Sequence, residues 1–455
     1  MDSRSLVERV DRQPVGHPER MVPLVFLLGI AIGTVLLMLP VSRAGGLTGT
    51  EAADFITALF TATSAFCVTG LTVVDTSTYW SPFGQVVLLG LFQVGGIGIM
   101  TSATLLGLLV TRSLPLSRRL HTSVEIRSID IGDVRQVLRL VLVSTLAFEG
   151  VLTAWLTARF WSWGMPFGEA LWQGFFHACS AFTNTGFSIL SEGLAPHRLD
   201  VLLLAPLMIG VIAGGIGFPI FHELRHHWRR PRRWSIHTKL TFWGSLALIV
   251  IGTLLFLAME WGNPETLGDE SLGGKILGAL FHSVMTRSGG FAVDDMRLMH
   301  RDSMLMSSIL IFIGGGSAST AGGIRITTFL LLGFSVWSEI RGRPESTAFH
   351  RRIAPAVERR AVAILLLALA AVLTALIILS GFVHAPVEQI LFEVVSAFAT
   401  GGLSTGLSAS MPVAGKLVMV VLMYVGRFGP ELIATLALTV RHAPYRYPEE
   451  RPIVG

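Results

Sequence analysis

Residues 60–70 read FTATSAFCVTG, an apolar stretch that closes on a threonine and a glycine. The pattern returns three times: FHACSAFTNTG at 176–186, FHSVMTRSGG at 281–290 and FEVVSAFATGG at 392–402. Its closing glycines, Gly70, Gly186, Gly290 and Gly402, lie 116, 104 and 112 residues apart. Phe60, Phe176 and Phe392 precede their glycines by ten positions and Phe281 by nine, while Ser-Ala-Phe recurs at Ser64, Ser180 and Ser396. Near-constant spacing over four copies marks a chain built from one repeated unit.

Each copy is too short to cross a bilayer and sits between apolar runs that are long enough. A short apolar helix followed by glycine and small polar residues reads as a re-entrant loop. Non-helical backbone at membrane depth is tolerated only where it lines a watery cavity or is packed in protein. Four such loops around one axis make a cation pathway: carbonyl oxygens replace the hydration shell, and helix C-termini aim partial negative charge at the ion. The predicted selectivity filter is Val68, Thr69 and Gly70 in the first repeat and Asn184, Thr185 and Gly186 in the second. Ser288, Gly289 and Gly290 serve in the third, and Thr400, Gly401 and Gly402 in the fourth. The four closing glycines would supply the positive φ that turns successive carbonyls inward. One such glycine alone would read as an ordinary helix stop; four in register do not.

The composition agrees. Of 455 residues, 51% are hydrophobic and 14% charged, with a mean hydropathy of +0.63, whereas soluble domains carry about 25% charged residues. Runs of spanning length lie at 21–40, 83–110, 240–259, 361–381 and 417–440. The first is too long for a signal-peptide core and no small-residue cleavage site follows it, so it reads as a retained helix. Cys67 and Cys179 lie in the apolar loop segments and read as small buried hydrophobes. Of the 35 Lys and Arg, 25 fall in the two tails and in connectors near 111–139, 223–239 and 340–360. Eight fall in the opposite connectors, and Arg325 and Arg427 lie within predicted spans. The positive-inside rule therefore puts both termini and those three connectors in the cytoplasm. It also accounts for the run of Arg229, Arg230, Arg232 and Arg233 better than nucleic-acid binding does. The organisation predicted is a tail over 1–20, repeats over 21–112, 136–224, 238–340 and 359–441, and a tail over 442–455.

A second element follows each loop. It reads VGGIG at 94–98, AGGIG at 213–217 and VGRFG at 425–429, and the third copy begins IGGG at 313–316. These glycines interrupt apolar helices and no strand precedes them, so they are not a nucleotide-binding loop; small residues there allow close helix packing or a kink. Two departures stand out. Arg427 occupies a position held by glycine in the other repeats, and a charge within a span is costly and marks a functional candidate. Glu431, one turn further on, is its candidate partner. The third copy expands into Gly314, Gly315, Gly316, Ser317, Ala318, Ser319, Thr320, Ala321, Gly322 and Gly323, followed by Ile324 and Arg325. So many small residues do not hold a helix, and an unwound, movable segment is expected.

Over residues 20–440 these features together resemble the KtrB/TrkH family of bacterial potassium uptake proteins, and KtrB most. The likeness rests on VTGL at 68–71, NTGF at 184–187, TRSGGF at 286–291, TGGLS at 400–404, the loop GSASTAGGIR at 316–325 and GRFG at 426–429. It implies an all-α polytopic membrane protein in which four helix–pore loop–helix repeats surround a central pore, with about eight transmembrane helices. It also implies a homodimer in a bacterial plasma membrane, gated by a cytosolic ring of nucleotide-binding RCK subunits, KtrA- or TrkA-like. K+ would be the transported ion, held by backbone carbonyls of Val68, Thr69, Asn184, Thr185, Ser288, Gly289, Thr400 and Gly401. The 314–323 loop and Arg427 would obstruct the pore below that filter. The KtrB likeness further suggests stimulation by Na+. No nucleotide is expected on this chain, and no enzymatic activity: His177 and His282, equivalent in their repeats, have no paired carboxylates and read as packed side chains. The rival reading is a sodium- or proton-coupled secondary cation symporter, which is usually built from two repeats, often inverted.

Overall fold

The computed structural model describes residues 18–44, 53–112, 134–343, 345–349 and 351–439. Most of both tails and of the first basic connector lie outside these residues. In the first repeat, α1 (Pro18–Leu37) and α3 (Pro82–Arg112) flank the short pore helix α2 (Phe55–Phe66). The second has α4 (Val134–Ser162), pore helix α5 (Phe167–Phe182), and α6 (Val201–Ile216) continued by α7 (Phe218–His227). The third has α8 (Ile236–Glu260), pore helix α9 (Leu272–Met285), and α10 (Arg301–Phe312) separated by a loop from α11 (Ile326–Ile340). The fourth has α12 (Pro355–Ser380), pore helix α13 (Val387–Phe398) and α14 (Val413–Thr439). One pattern is laid down four times.

Four described helices have the length and apolar character of a full span: Pro82–Ser102, Leu138–Ser162, Ile236–Glu260 and Pro355–Ser380. The α6–α7 pair, bent by 97° at Gly217, counts as a fifth crossing when taken as one broken span. Taking α10 and α11 as one broken crossing, and adding α1 and α14, gives two outer helices per repeat and eight in all. The one sheet among the described residues is a ribbon of two-residue strands, β1 (Thr347–Ala348) paired antiparallel with β2 (Arg351–Arg352). It lies in a polar basic connector, where backbone groups find partners in a tight turn rather than in a helix.

Local chemistry starts the pore helices. Asp54 caps α2 by accepting from the Ile56 N–H, and Ser271 caps α9 by accepting from Gly274. Pro166 and Pro386 stand at the N-caps of α5 and α13, whose first turns carry Glu169 and Glu388, acids that suit the positive end of the helix dipole. Each pore helix packs on the first outer helix of its own repeat. The second outer helix approaches even closer. A Cβ on Gly95, Gly214 or Gly426 would strike the carbonyl oxygen of Phe66, Phe182 or Phe398, the last residue of the pore helix in the same repeat. The third repeat breaks this rule, since Gly314 instead lies against the Gly322 carbonyl within its own loop.

Candidate functional site

The pore helices end in a shared turn. Val68, Asn184 and Thr400 have φ of 58°, 60° and 48°, and their amides donate to Ala65, Ala181 and Ala397. The next amides, of Thr69, Thr185 and Gly401, donate to the carbonyls of Ser64, Ser180 and Ser396 at 2.7, 2.9 and 2.7 Å. This pair of bonds is the Schellman helix stop, but with a side chain where glycine is usual. In the third repeat, one residue shorter between its phenylalanine and its glycine, Ser288 takes the left-handed position (φ 64°) and the Gly289 amide donates to Met285 at 2.8 Å. Left-handed backbone at valine or threonine costs about 1–2 kcal/mol each, and such strain persists where surrounding structure imposes it.

Two residues on, Gly70, Gly186, Gly290 and Gly402 have φ of 88°, 79°, 73° and 78°. They form a closed ring. A Cβ on Gly70 would meet the Thr185 carbonyl and come to 3.4 Å from the Cα of Gly402. One on Gly186 would strike Gly290, and one on Gly290 would lie 2.8 Å from the Gly186 Cα. One on Gly402 would lie 2.6 Å from both the Gly290 Cα and the Thr69 oxygen. Every neighbouring pair of repeats is thus in backbone contact at its glycine, and the oxygens of Thr69, Thr185 and Gly289 are among the first atoms met. The structure brings the predicted filter residues of all four repeats together.

On the side of the ring where the pore helices end lies the 314–323 loop. Its neck is tied by the Gly314 amide to Ile324 O (2.9 Å), the Ile324 amide to Phe312 O (3.1 Å) and the Ile326 amide to Gly315 O (3.0 Å). The loop then reaches across to other repeats. Thr320 Oγ1 donates to Asn184 Oδ1 (3.0 Å) and Phe182 O (3.3 Å), the Gly322 amide to Ser288 Oγ (3.2 Å), and the Gly316 amide to Gly215 O (2.8 Å). A Cβ on Gly322 would strike Thr400. Arg427, 3% exposed, donates to the Thr320 carbonyl at 2.5 Å and to Thr400 Oγ1 at 3.2 Å. It therefore clamps the loop to the fourth filter turn. The Arg325 guanidinium donates to the Ala321 carbonyl within the loop. Glu431, the predicted partner of Arg427, lies beyond the described side chains.

Some buried polar side chains escape a reading of the sequence. Arg287 falls with the outer connectors by position along the chain; it is buried, with its guanidinium on Ser245 Oγ of α8 at 3.1 Å. Its place two residues before Gly289 is the available signal. Glu149, the one acid in the Leu138–Ser162 span, is 2% exposed and accepts from Gln93 Nε2 at 2.8 Å on each oxygen. The residue after the pore-helix phenylalanine is polar in every repeat; two of these side chains tie down the segment beyond the closing glycine, and a third holds the outer helix α10. His177 Nε2 pairs with Ser188 Oγ (2.9 Å) and His282 Nε2 with Ser307 Oγ (2.8 Å). Buried Glu393 accepts from Ser404 Oγ (2.6 Å), the Thr405 amide (2.8 Å), Thr405 Oγ1 (3.0 Å) and Ser408 Oγ (2.5 Å). A buried donor stranded without its acceptor costs about 1–3 kcal/mol. Glu393→Ala is expected to lower the unfolding temperature in detergent by several degrees, more than Thr405→Val; an unchanged midpoint would contradict this bracing role.

The fold and the site together define a membrane protein with four pore loops around one axis. The sequence profile described as TrkH, cation transport protein, matches residues 33–441, and the chain belongs to this family of cation transport proteins. It is 35% identical to the Ktr system potassium uptake protein B of Bacillus subtilis, over 96% of this chain and 97% of that one. It is 32% identical to the protein of the same name from Vibrio alginolyticus, over 98% and 96%. The crystal structure of the potassium transporter TrkH from Vibrio parahaemolyticus superposes with a TM-score of 0.70 at 16% identity, covering 94% of this chain and 86% of that one. That last likeness bears on the fold.

Proposed function

We propose that the chain is the potassium-conducting subunit of an uptake system, a passive pore rather than an enzyme or a coupled carrier. The observation that carries this reading is the closed ring of four positive-φ glycines with filter carbonyls beside them. The ring has four backbone contributors and no carboxylate, which suits a weakly held monovalent cation that must also leave. An inward-negative potential supplies about 2.3 kcal/mol per charge per 100 mV, enough to drive accumulation without ATP hydrolysis in this chain. The potassium uptake named in its relatives supports K+ as the cargo; Na+ is a second ion to test. Each filter strand has one essential glycine, so discrimination is expected to be looser than in a tetrameric potassium channel.

The loop and Arg427 are the gate in this reading, and the hydrogen bonds from Thr320, Gly322 and Arg427 to filter residues are those of a closed pore. We place both termini and the basic connectors in the cytoplasm of a bacterial cell. There a second copy completes a homodimer and a nucleotide-binding ring of RCK type docks. That ring would act through α11, which runs from the loop to the basic connector at Arg341. Deleting part of 314–323 is expected to make potassium flux independent of the nucleotide while the ring still docks. If flux in the deletion variant still follows the nucleotide as in the parent, the gate is elsewhere.

A further inference from the structure

Between α12 and α14 of the fourth repeat lies an apolar gap. A cavity of about 770 Å³ lies there, with Ile364, Ala371 and Ile378 on one side and Val418, Val421 and Val425 on the other. Its floor is Phe398, the last residue of the pore helix, with Gly323 and Ile324 at the neck of the 314–323 loop. Thr374 is the single lining residue with a polar side chain. The volume is typical of a site for a small organic ligand, and the lining rejects water, which needs two or more polar partners to settle.

We infer that this cavity is a lipid site, which holds an acyl chain from the surrounding bilayer and couples it to the loop. On α12 the lining face adjoins an exposed apolar face, where Leu366, Leu373 and Ile377 are 60%, 50% and 73% exposed. The residues of α12 that line the cavity, Ile364 to Ile378, lie within the apolar Pro355–Ser380 span, so the medium on that side is hydrocarbon. Burying methylenes there gains dispersion contacts with branched side chains on both helices. The coupling follows from the floor. Gly323 (φ 71°) is the turn through which the loop returns to α11, and a Cβ on it would already lie 3.0 Å from Phe312 O and 3.1 Å from Ala399 Cβ. The neck is thus packed on the side a Cβ would face, and the cavity is the adjacent space into which it can withdraw. An acyl chain in that space holds the loop against the filter, so occupancy and conduction oppose each other. The binding site stands on the cavity alone; its effect on flux rests on the proposed gate.

The test separates these two statements. Ala371→Trp fills the cavity, while Leu366→Trp adds the same side chain on the outer face of α12, away from the lining. The full-length variants are purified in mild detergent and the phospholipid retained per chain is measured by native mass spectrometry. Thermal unfolding verifies that both are folded, and Val421→Trp replaces Ala371→Trp if the latter is not. The expected result is loss of retained phospholipid in the cavity variant but not in the surface variant. Equal retention in both would overturn the site. So would a wild-type dimer that Ala371→Trp converts to monomers without change in lipid, since a second copy would then cover the opening. In proteoliposomes, added oleic acid is expected to lower potassium flux several-fold in the parent and little in Ala371→Trp. Retained lipid with flux indifferent to oleic acid would leave the site standing and overturn its coupling to the gate.

Discussion

Gly402→Ser is expected to bring potassium and sodium flux to near parity in a competition assay. The residue sits at φ 78°, and its new Cβ would lie 2.6 Å from both the Gly290 Cα and the Thr69 oxygen. Left-handed serine backbone costs about 1–2 kcal/mol, and relief of the contact must spread the ring. Discrimination that depends on carbonyl positions does not survive such a shift. Gly290→Ser should behave alike, since its Cβ would meet Gly186 Cα and Thr185 O at 2.8 and 2.9 Å. Gly406→Ser is the matched control: φ is 77° but nothing lies within 4 Å of the added atom. It carries the same backbone strain without intruding on the ring, and should retain the parental preference. Unchanged selectivity in both ring variants would remove the filter assignment.

The second large effect is that of Arg427→Ala, expected to raise potassium flux and to lower the requirement for a gating partner. A hydrogen bond from a charged donor contributes about 1.5–3 kcal/mol, and here it runs from the fourth repeat to Thr320 at the centre of the loop. Losing it shifts the loop away from the filter by about tenfold or more if the two positions are otherwise balanced. The substitution also removes a buried positive charge from beside Thr400, where in the proposed pore it would oppose a passing cation. Lower flux at unchanged protein level would assign the arginine a structural role and refute this reading.

Much of this architecture is legible in the sequence because it is repeated. Four copies of Phe, small residues and Gly at near-constant spacing carry both the fold and the ring of glycines, which the structure brings into contact. The positions of Arg427 and of the 314–323 loop are legible as departures from a repeat. The features that the sequence conceals depend on geometry that no single residue announces. Positive φ at Val68, Ser288 and Thr400 runs against the preferences of those side chains, though Asn184 tolerates it; it goes with the helix-stop bonds and the convergence of four segments, not with local propensity. Arg287 looks like a connector charge because its partner, Ser245 of α8, lies 42 residues away along the chain. Glu393, His177 and His282 are visible as polar residues on apolar helices, but their hydroxyl and amide partners lie 11 to 25 residues away along the chain. The cavity between α12 and α14 has no sequence signal, because alanine and valine line a gap as readily as they fill a core.

The central claim is passive conduction through the glycine ring, and a reversal potential tests it most directly. The purified full-length chain, reconstituted in liposomes with defined ion gradients, is held at a series of imposed potentials while potassium flux is recorded. The account predicts that net flux vanishes at the potassium equilibrium potential and stays there when a sodium or proton gradient is added at fixed potassium. A reversal point that moves with the sodium or proton gradient would mean obligatory coupling, and would contradict a pore.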